Sequence, residues 1–547
     1  MSAIDWGKVG SNALWLVGLA LLLSVAGFLS YAMRGVSLRE GWRAFTRSGW
    51  TCLGVVFFCA GMALTSASGL EMTDWALMSI GALYLWWTAR RNTPAITTPM
   101  WQASEGEAAR VRTMPSGIYR VAEWLVRTEL LWLALLAPFF VYPAPERLFA
   151  LLGLPLLWVA RRLARGRFLP RTPLDWPIVL MLVMLLVSLY ATFDVGFSLP
   201  KITGLLYGIG LYYALVEWAS ARGRVRWAFG AFAFAGACLA VVALLGTNWT
   251  NKLPIVTSIA SRIPPLLRGF PGAERGLHPN EMGGALLWVV PLQLALVAWA
   301  WLLGAGWRRT NWLQRVGLLT SLLISGFALL LTESRGALVG FALGCLLLLT
   351  LLIPRGRLLV AGLLVLALGA VSYAGPDNIT EVLVGSYGQG FSPVDVMRSA
   401  QGRMEIWSRA LYGIEDFSFT GMGMNTFRRV MPVLYPSSSF GTDRDLVHAH
   451  DHLLQVALDL GLPGLVAYMS IWLLAGRLVV LAYRRAATGG HRVRAAGVAA
   501  SLLAYFVYGL TDAVPLGDTA GLFFWGLLGL SVALWKRTKV RQRTSAL

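Results

Sequence analysis

The sequence predicts an all-α fold: a polytopic integral membrane helical bundle of about fifteen spans with a large helical periplasmic loop. Three observations carry this. Of 547 residues, 57% are hydrophobic and only 14% charged, against roughly 25% charged in soluble domains. Apolar runs such as Ser11–Met33, Val316–Leu331 and Arg357–Tyr373 approach or reach the roughly 20 residues that a helix needs to cross a bilayer core. Strict period-two alternation is absent. Lipid admits only helices or closed barrels, because backbone polar groups find no water there, so helices are expected.

The linkers justify each span in turn. Basic clusters fall at Arg34–Arg47, Arg90–Arg127, Arg161–Arg171, Arg222–Arg226, Arg308–Arg315, Arg355–Arg357, Arg484–Arg494 and Lys536–Arg543. Segments poorer in positive charge lie between them: Gly69–Asp74, Tyr142–Glu146, Asp194–Lys201, Thr247–Glu281, Thr332–Arg335, Ala374–Gly461 and Thr511–Asp518. The two kinds alternate, as the positive-inside rule produces. The basic linkers are therefore expected in the cytoplasm and the others outside, with the N-terminus outside and the C-terminus inside. The division expected is residues 1–127 as three appended helices and a linker, 128–535 as a twelve-span core, and 536–547 as a basic tail. Within the core, 374–461 is the large outer loop. In that loop Met404, Trp407, Leu411 and Ile414 recur at helical spacing, which predicts an amphipathic helix with Arg403 and Arg409 off its apolar face.

The net charge of +20 does not indicate nucleic acid, because the arginines are dispersed in short clusters between apolar runs. Cys52, Cys59, Cys238 and Cys345 lie within apolar runs without CxxC or metal-site spacing, and read as small core residues. No cofactor is expected.

Chemistry is expected where polar residues interrupt the outer ends of spans. Three of the five histidines, His448, His450 and His452, precede an apolar helix. In an extended segment all three share a face; if the helix starts earlier, His448 and His452 share one and His450 points elsewhere. No HExxH occurs and the loop has no cysteine, so no metal is expected. A histidine, with an unperturbed pKa of about 6.5, is suited to take a proton from a hydroxyl near neutral pH. Glu333 and Arg335 stand between two apolar helices, and Arg262, Arg268 and Arg275 precede "HPNEMGG". Arginines outside oppose the positive-inside trend and point to an anionic partner; guanidinium binds phosphate bidentately. Arginines and a histidine converging from distant outer segments would suit glycosyl transfer from a diphosphate.

The stretches "GRMEIWSRAL", "FTGMGMNTFRRVMPVLYP" and "HAHDHLLQVALDLGLPG" between Gly402 and Gly464, with "ESRGALVGFALG" and "RGLHPNEMGGAL", resemble the O-antigen ligase and O-antigen polymerase superfamily of bacterial membrane glycosyltransferases. The resemblance covers roughly residues 128–535 and leaves the first three spans outside it. It implies an inner-membrane, multi-pass enzyme with its site on the periplasmic side. The implied donor is an undecaprenyl-diphosphate-linked glycan and the implied acceptor is the lipid A core or another glycan. Transfer would be inverting and metal-independent. By the same resemblance His450 would be the base and Arg335 a diphosphate ligand, with Arg275, then Arg268, as the second arginine. His448, Asp451, Arg403 and Glu333 would support them. Asp451 stands where the family usually has asparagine; it could raise the basicity of the histidine, and is expected to point away from the diphosphate. Polymerisation of lipid-linked repeats is the alternative. A transporter of the same lipid, using Glu217 and Asp512, is a further one.

Overall fold

The computed structural model describes residues 6–33, 38–66, 69–91, 116–221, 223–249, 258, 262–264, 266–267, 269, 276–303, 310–363, 365–366, 393–436 and 448–544. The described residues form helices, two of them short 3₁₀ segments, and no named strand. In chain order the α-helices are α1 (Trp6–Ala32), α2 (Leu38–Arg47), α3 (Gly49–Thr65), α4 (Gly69–Arg91), α5 (Ser116–Arg127), α6 (Glu129–Val141) and α7 (Gly153–Arg165). There follow α8 (Asp175–Ala191), α9 (Val195–Ser220), α10 (Arg224–Gly246), α11 (Pro279–Leu287), α12 (Val290–Trp301), α13 (Trp312–Leu331) and α14 (Arg335–Leu352). The last five are α15 (Pro393–Asp416), α16 (Phe427–Leu434), α17 (His452–Arg484), α18 (Gly489–Gly509) and α19 (Leu522–Thr544).

Seven described helices are long and apolar enough to cross a membrane, or up to ten if each bent pair is one span. The count of about fifteen expected from charge alternation is not tested by these helices, because part of an expected span, residues 357–373, lies outside the described residues. α8 is apolar and, with 17 residues, stands at the lower limit of a spanning helix. Other segments bend midway. The axes of α11 and α12 differ by 43° across Trp288–Val289, with Pro291 opening α12. Pro291 lacks an N–H and favours a new helix start.

The core is one apolar cluster drawn from α8–α14 and α17–α19. Apolar helices gain little from one another in lipid, so close packing and polar contacts hold them. α14 lies on α18, α9 on α19 and α8 on α17. Between them Trp288 stacks on Tyr505 with ring centroids 3.6 Å apart, and Trp472 lies 5.5 Å from Phe524. In α12, Gln293 Nε2 donates to the Ala233 carbonyl and to Ser321 Oγ, which ties three helices together. The first helix is part of this assembly. Ser470 Oγ of α17 donates to the Ala20 carbonyl of α1, and Arg477 lies 3.7 Å from the ring centroid of Phe28.

The helix expected around Gly402–Phe417 forms as α15, but its buried line is Ile406, Ala410 and Gly413. Met404 is exposed, and Arg409 is buried with Glu405 Oε1 3.3 Å away. The face is set by packing against α16 and α17, where Ile406 and Ala410 meet Met422, Phe427, Met431 and Leu458. Of the cysteines, Cys52 and Cys59 are buried, Cys238 is exposed and Cys345 is intermediate; all are free.

Candidate active site

The site lies where the N-terminal ends of α11, α14 and α17 meet the C-terminal end of α18. α17 starts at His452 because Asp451 caps it: its Oδ1 accepts from the backbone N–H of Leu453 and Leu454. A carboxylate there satisfies two helix-end donors and meets the positive end of the helix dipole. Burial pushes the pKa of Asp451 up to about 6, with those two N–H groups opposing the rise. Before the cap the chain turns sharply, since His450 has a φ of 51°, a left-handed conformation uncommon outside glycine.

This turn decides the histidine geometry. His448 and His450 have ring centroids 4.5 Å apart. His452 instead turns inward: its Nδ1 lies 2.9 Å from the Tyr468 hydroxyl, among Trp472, Tyr505 and Phe506. Neither arrangement expected from simple periodicity occurs, because the left-handed residue and the cap interrupt both periods. His452 is therefore a core residue.

The partner of the other two histidines is Asp512, just beyond α18. His450 Nδ1 lies 3.0 Å from Asp512 Oδ1, and His448 Nε2 lies 3.7 Å from the same oxygen and 3.7 Å from Glu281 Oε1. Asp512 is fixed from several sides. Its Oδ1 accepts from the Ala513 N–H at 2.9 Å and its Oδ2 from Asn280 Nδ2 at 3.0 Å. Arg403 Nη2 of α15 stands 3.9 Å from Oδ2. Asn280 is held in turn by α18, where the Tyr508 hydroxyl donates to its carbonyl at 2.8 Å. Burial opposes ionisation of Asp512. The hydrogen bond from His450 and the charges of His448 and His450 outweigh burial, and hold its pKa below the usual carboxylate range.

The proton positions follow from this. An ionised carboxylate only accepts, so His450 carries a proton on Nδ1. In the neutral imidazole the lone pair then sits on Nε2, the arrangement of a base oriented by a carboxylate. The His450 side chain is 27% exposed while that of Asp512 is 4% exposed, so the base reaches outward and its orienting group does not. His448 Nδ1 accepts the His450 N–H at 3.2 Å, which leaves its own proton on Nε2, facing Glu281 and Asp512. Beneath, the Ala449 N–H donates to Gln455 Oε1, and Gln455 Nε2 donates to Asp459 Oδ1, each at 2.9 Å. Among the described residues, His448, His450 and Asp512 are the cluster that could hold a metal, their ligand atoms lying within 4.8 Å of one another.

The structure thus brings Arg403 of α15 to the Asp512 carboxylate that His448 and His450 also face. Asp451 is not beside His450 as a basicity-raising carboxylate; it caps α17, and Asp512 occupies that role geometrically. Arg335 is the first residue of α14 and exposed. Its helix start approaches the same rim, since a Cβ on Gly336 would lie 2.8 Å from Thr511 Oγ1. Among the described residues neither hydrogen bond nor ion pair joins Arg335 to the His–Asp cluster. Glu333 is buried with a φ of 47° and makes the bend between α13 and α14. Arg268 and Arg275 lie outside the described residues; Arg262 is exposed. Asn280 and Glu281 of "HPNE" escaped sequence reasoning as site residues, and Asp512 of "LTDAVP" enters it only for the transporter alternative. The available signal was two aspartates in the short outer segment Thr511–Asp518.

Residues 320–469 match the family model described as O-Antigen ligase. The match covers 150 of the 547 residues. That segment of the O-antigen ligase domain includes Glu333, Arg335, Arg403, His448, His450 and Asp451, while Asn280, Glu281 and Asp512 lie beyond it. No curated protein matches the chain. With several helices long and apolar enough to cross a membrane, the chain is a multi-pass membrane protein that carries, within residues 320–469, a segment similar to O-antigen ligases.

Proposed function

We propose that the protein transfers a glycan from undecaprenyl diphosphate to an acceptor hydroxyl at the periplasmic face of the inner membrane, with the lipid A core as acceptor. The observation that carries this reading is the hydrogen bond between His450 Nδ1 and Asp512 Oδ1 at 3.0 Å, beside Arg403. His450 Nε2 takes the proton of the acceptor hydroxyl. Its oxygen attacks the anomeric carbon on the face opposite the diphosphate, the bond to the diphosphate oxygen breaks, and the configuration inverts. A base of this kind contributes roughly 10²–10⁴-fold. Diphosphate is already a good leaving group, so the remaining need is fixed positive charge near it. Arg335 serves here, with Arg275, then Arg268, as the second arginine of the diphosphate clamp, and Arg403 supports them from beside Asp512. No metal is required in this scheme.

The test is direct. Purified protein receives a defined undecaprenyl-diphosphate oligosaccharide with either lipid A core or a second copy of the donor, and the product is weighed. A core-linked product supports the ligase reading, and a lengthened lipid-linked glycan replaces it with polymerisation. Transfer is expected to persist in EDTA. Loss on chelation with recovery on adding zinc would instead assign the His448–His450–Asp512 cluster to a metal. His450→Ala and Arg335→Ala are each expected to abolish product at unchanged membrane levels; retained transfer in both variants rejects the site. A transporter reading finds little support: Glu217 is engaged by Arg167 at 2.9 Å, and Asp512 by the histidines.

A further inference from the structure

We infer that Lys201 is a phosphate contact for the lipid-linked donor and that Asp518 is its resting counter-ion. The inference rests on the proposed donor. Lys201 lies in the second turn of α9, and its ammonium pairs with Asp518 Oδ1. The Lys201 side chain is 15% exposed, so the cation is largely withdrawn from water yet reachable. It interacts electrostatically with Glu281 and Asp459, and is repelled by Arg428. Glu281 touches His448, which touches Asp512. Lys201 therefore belongs to one charge network with the proposed base, entering it from α9, a helix that the matched family segment does not reach.

The position of Asp518 gives this cation a second state. Asp512 and Asp518 stand at two ends of one short segment after α18. That segment is fastened to α9: a Cβ on Gly517 would fall 2.0 Å from the Lys201 carbonyl oxygen. The Lys201 ammonium can leave the carboxylate and donate to a phosphate oxygen by side-chain rotation alone. A diphosphate carries more negative charge than a carboxylate, so the exchange is favoured when the donor arrives. Asp518, 30% exposed, is then released to water. No covalent bond changes. Because the same segment holds Asp512, arrival of the donor is felt at the group that orients His450.

The experiment uses full-length protein in detergent, with donor KM and kcat measured separately and binding of farnesyl diphosphate measured on the monodisperse fraction. Lys201→Ala should raise the donor KM and weaken farnesyl diphosphate binding by about tenfold or more, the effect of losing one charge-assisted hydrogen bond. Lys201→Arg should restore most of it. Asp518→Asn, which breaks the same ion pair, should leave donor KM unchanged or lower it. If Lys201→Ala and Asp518→Asn raise KM alike, or if both lower only the thermal midpoint, the pair is structural and the inference is overturned. Wild-type protein that binds farnesyl diphosphate through Lys201 but transfers no glycan would refute the proposed reaction and leave the Lys201 contact standing. Equal binding by wild type and Lys201→Ala would refute the contact alone.

Discussion

At the scale of single residues, the aspartates flanking the histidine motif have different tasks. Asp512→Asn keeps the size of the side chain but removes its charge and replaces one of the two accepting oxygens with a donating amide, so the His450 tautomer is no longer fixed. Glycan transfer should fall by roughly 10²–10⁴-fold, measured as kcat with donor and acceptor saturating. The same substitution has a pH signature. The folded-state pKa of Asp512 is depressed, so its stabilisation is fully present above its unfolded value of about 4 and is lost as pH falls through the lower folded value. Thermal midpoints of wild type and Asp512→Asn should therefore differ at neutral pH and converge only in acid below about pH 4. Asp451 behaves otherwise. Asp451→Ala should cost about 1 kcal/mol through the lost cap, and Asp451→Asn should be nearly neutral, both with transfer retained. Much of this site was legible: a histidine before a span and an arginine in the outer loop are visible as residue types in improbable places. The tautomer-setting carboxylate was not, because Asp512 and His450 are 62 residues apart and nothing local marks their approach. The inward turn of His452 was equally hidden, since it depends on a left-handed backbone at His450.

At the scale of elements, the break inside α17 positions the loop against the bundle. Gly461 has φ 71° and ψ 176°, a region essentially reserved for glycine. A Cβ there would sit 2.1 Å from the Phe419 carbonyl oxygen. The break lets the Met422 N–H donate to the Leu458 carbonyl and the Leu462 N–H to that of Ser418, so the "FTGMGMN" turn docks on the open rung. The Asn425 N–H then reaches Asp459 Oδ1 at 3.2 Å, the carboxylate that steadies Gln455 beneath Ala449. Gly461→Ala should thus lower stability by more than the 1–3 kcal/mol of the backbone strain alone, read as a fall in thermal midpoint, with transfer reduced in whatever remains folded. The sequence displays the glycines and Pro463 but not that they end one straight helix and begin another. Apolar periodicity continues across the break, and periodicity is what a sequence reveals most plainly.

At the scale of the whole molecule, the helical membrane class follows from composition and pattern, since lipid admits only helices or closed barrels and the alternation of a barrel is absent. The number of spans is a separate matter: seven to ten are seen among the described residues. The first helix illustrates another limit. Set apart by sequence, α1 lies on α17 and contacts it through Ser470 and Arg477. The α1–α3 pair is close enough that a Cβ on Gly18 would fall 2.4 Å from the Phe58 backbone nitrogen. Gly18→Leu should part these helices and lower the thermal midpoint by several degrees, a shift that scanning calorimetry in detergent would register. For orientation, the proposed arrangement places α15 and α16 outside and the basic end of α19 inside. Alkaline phosphatase fused after Leu434 should be active and after Thr544 inactive; the reverse pattern would invert the site.

The cluster draws on Asn280 and Glu281, then Arg403, then His448 and His450, and last on Asp512. A ribosome delivers them in that order, at roughly 5–20 residues per second. A nascent chain whose α17 has already entered the bilayer therefore holds an imidazole with no carboxylate to fix its tautomer. It gains its carboxylate partner only when the turn beyond α18 emerges and closes on it.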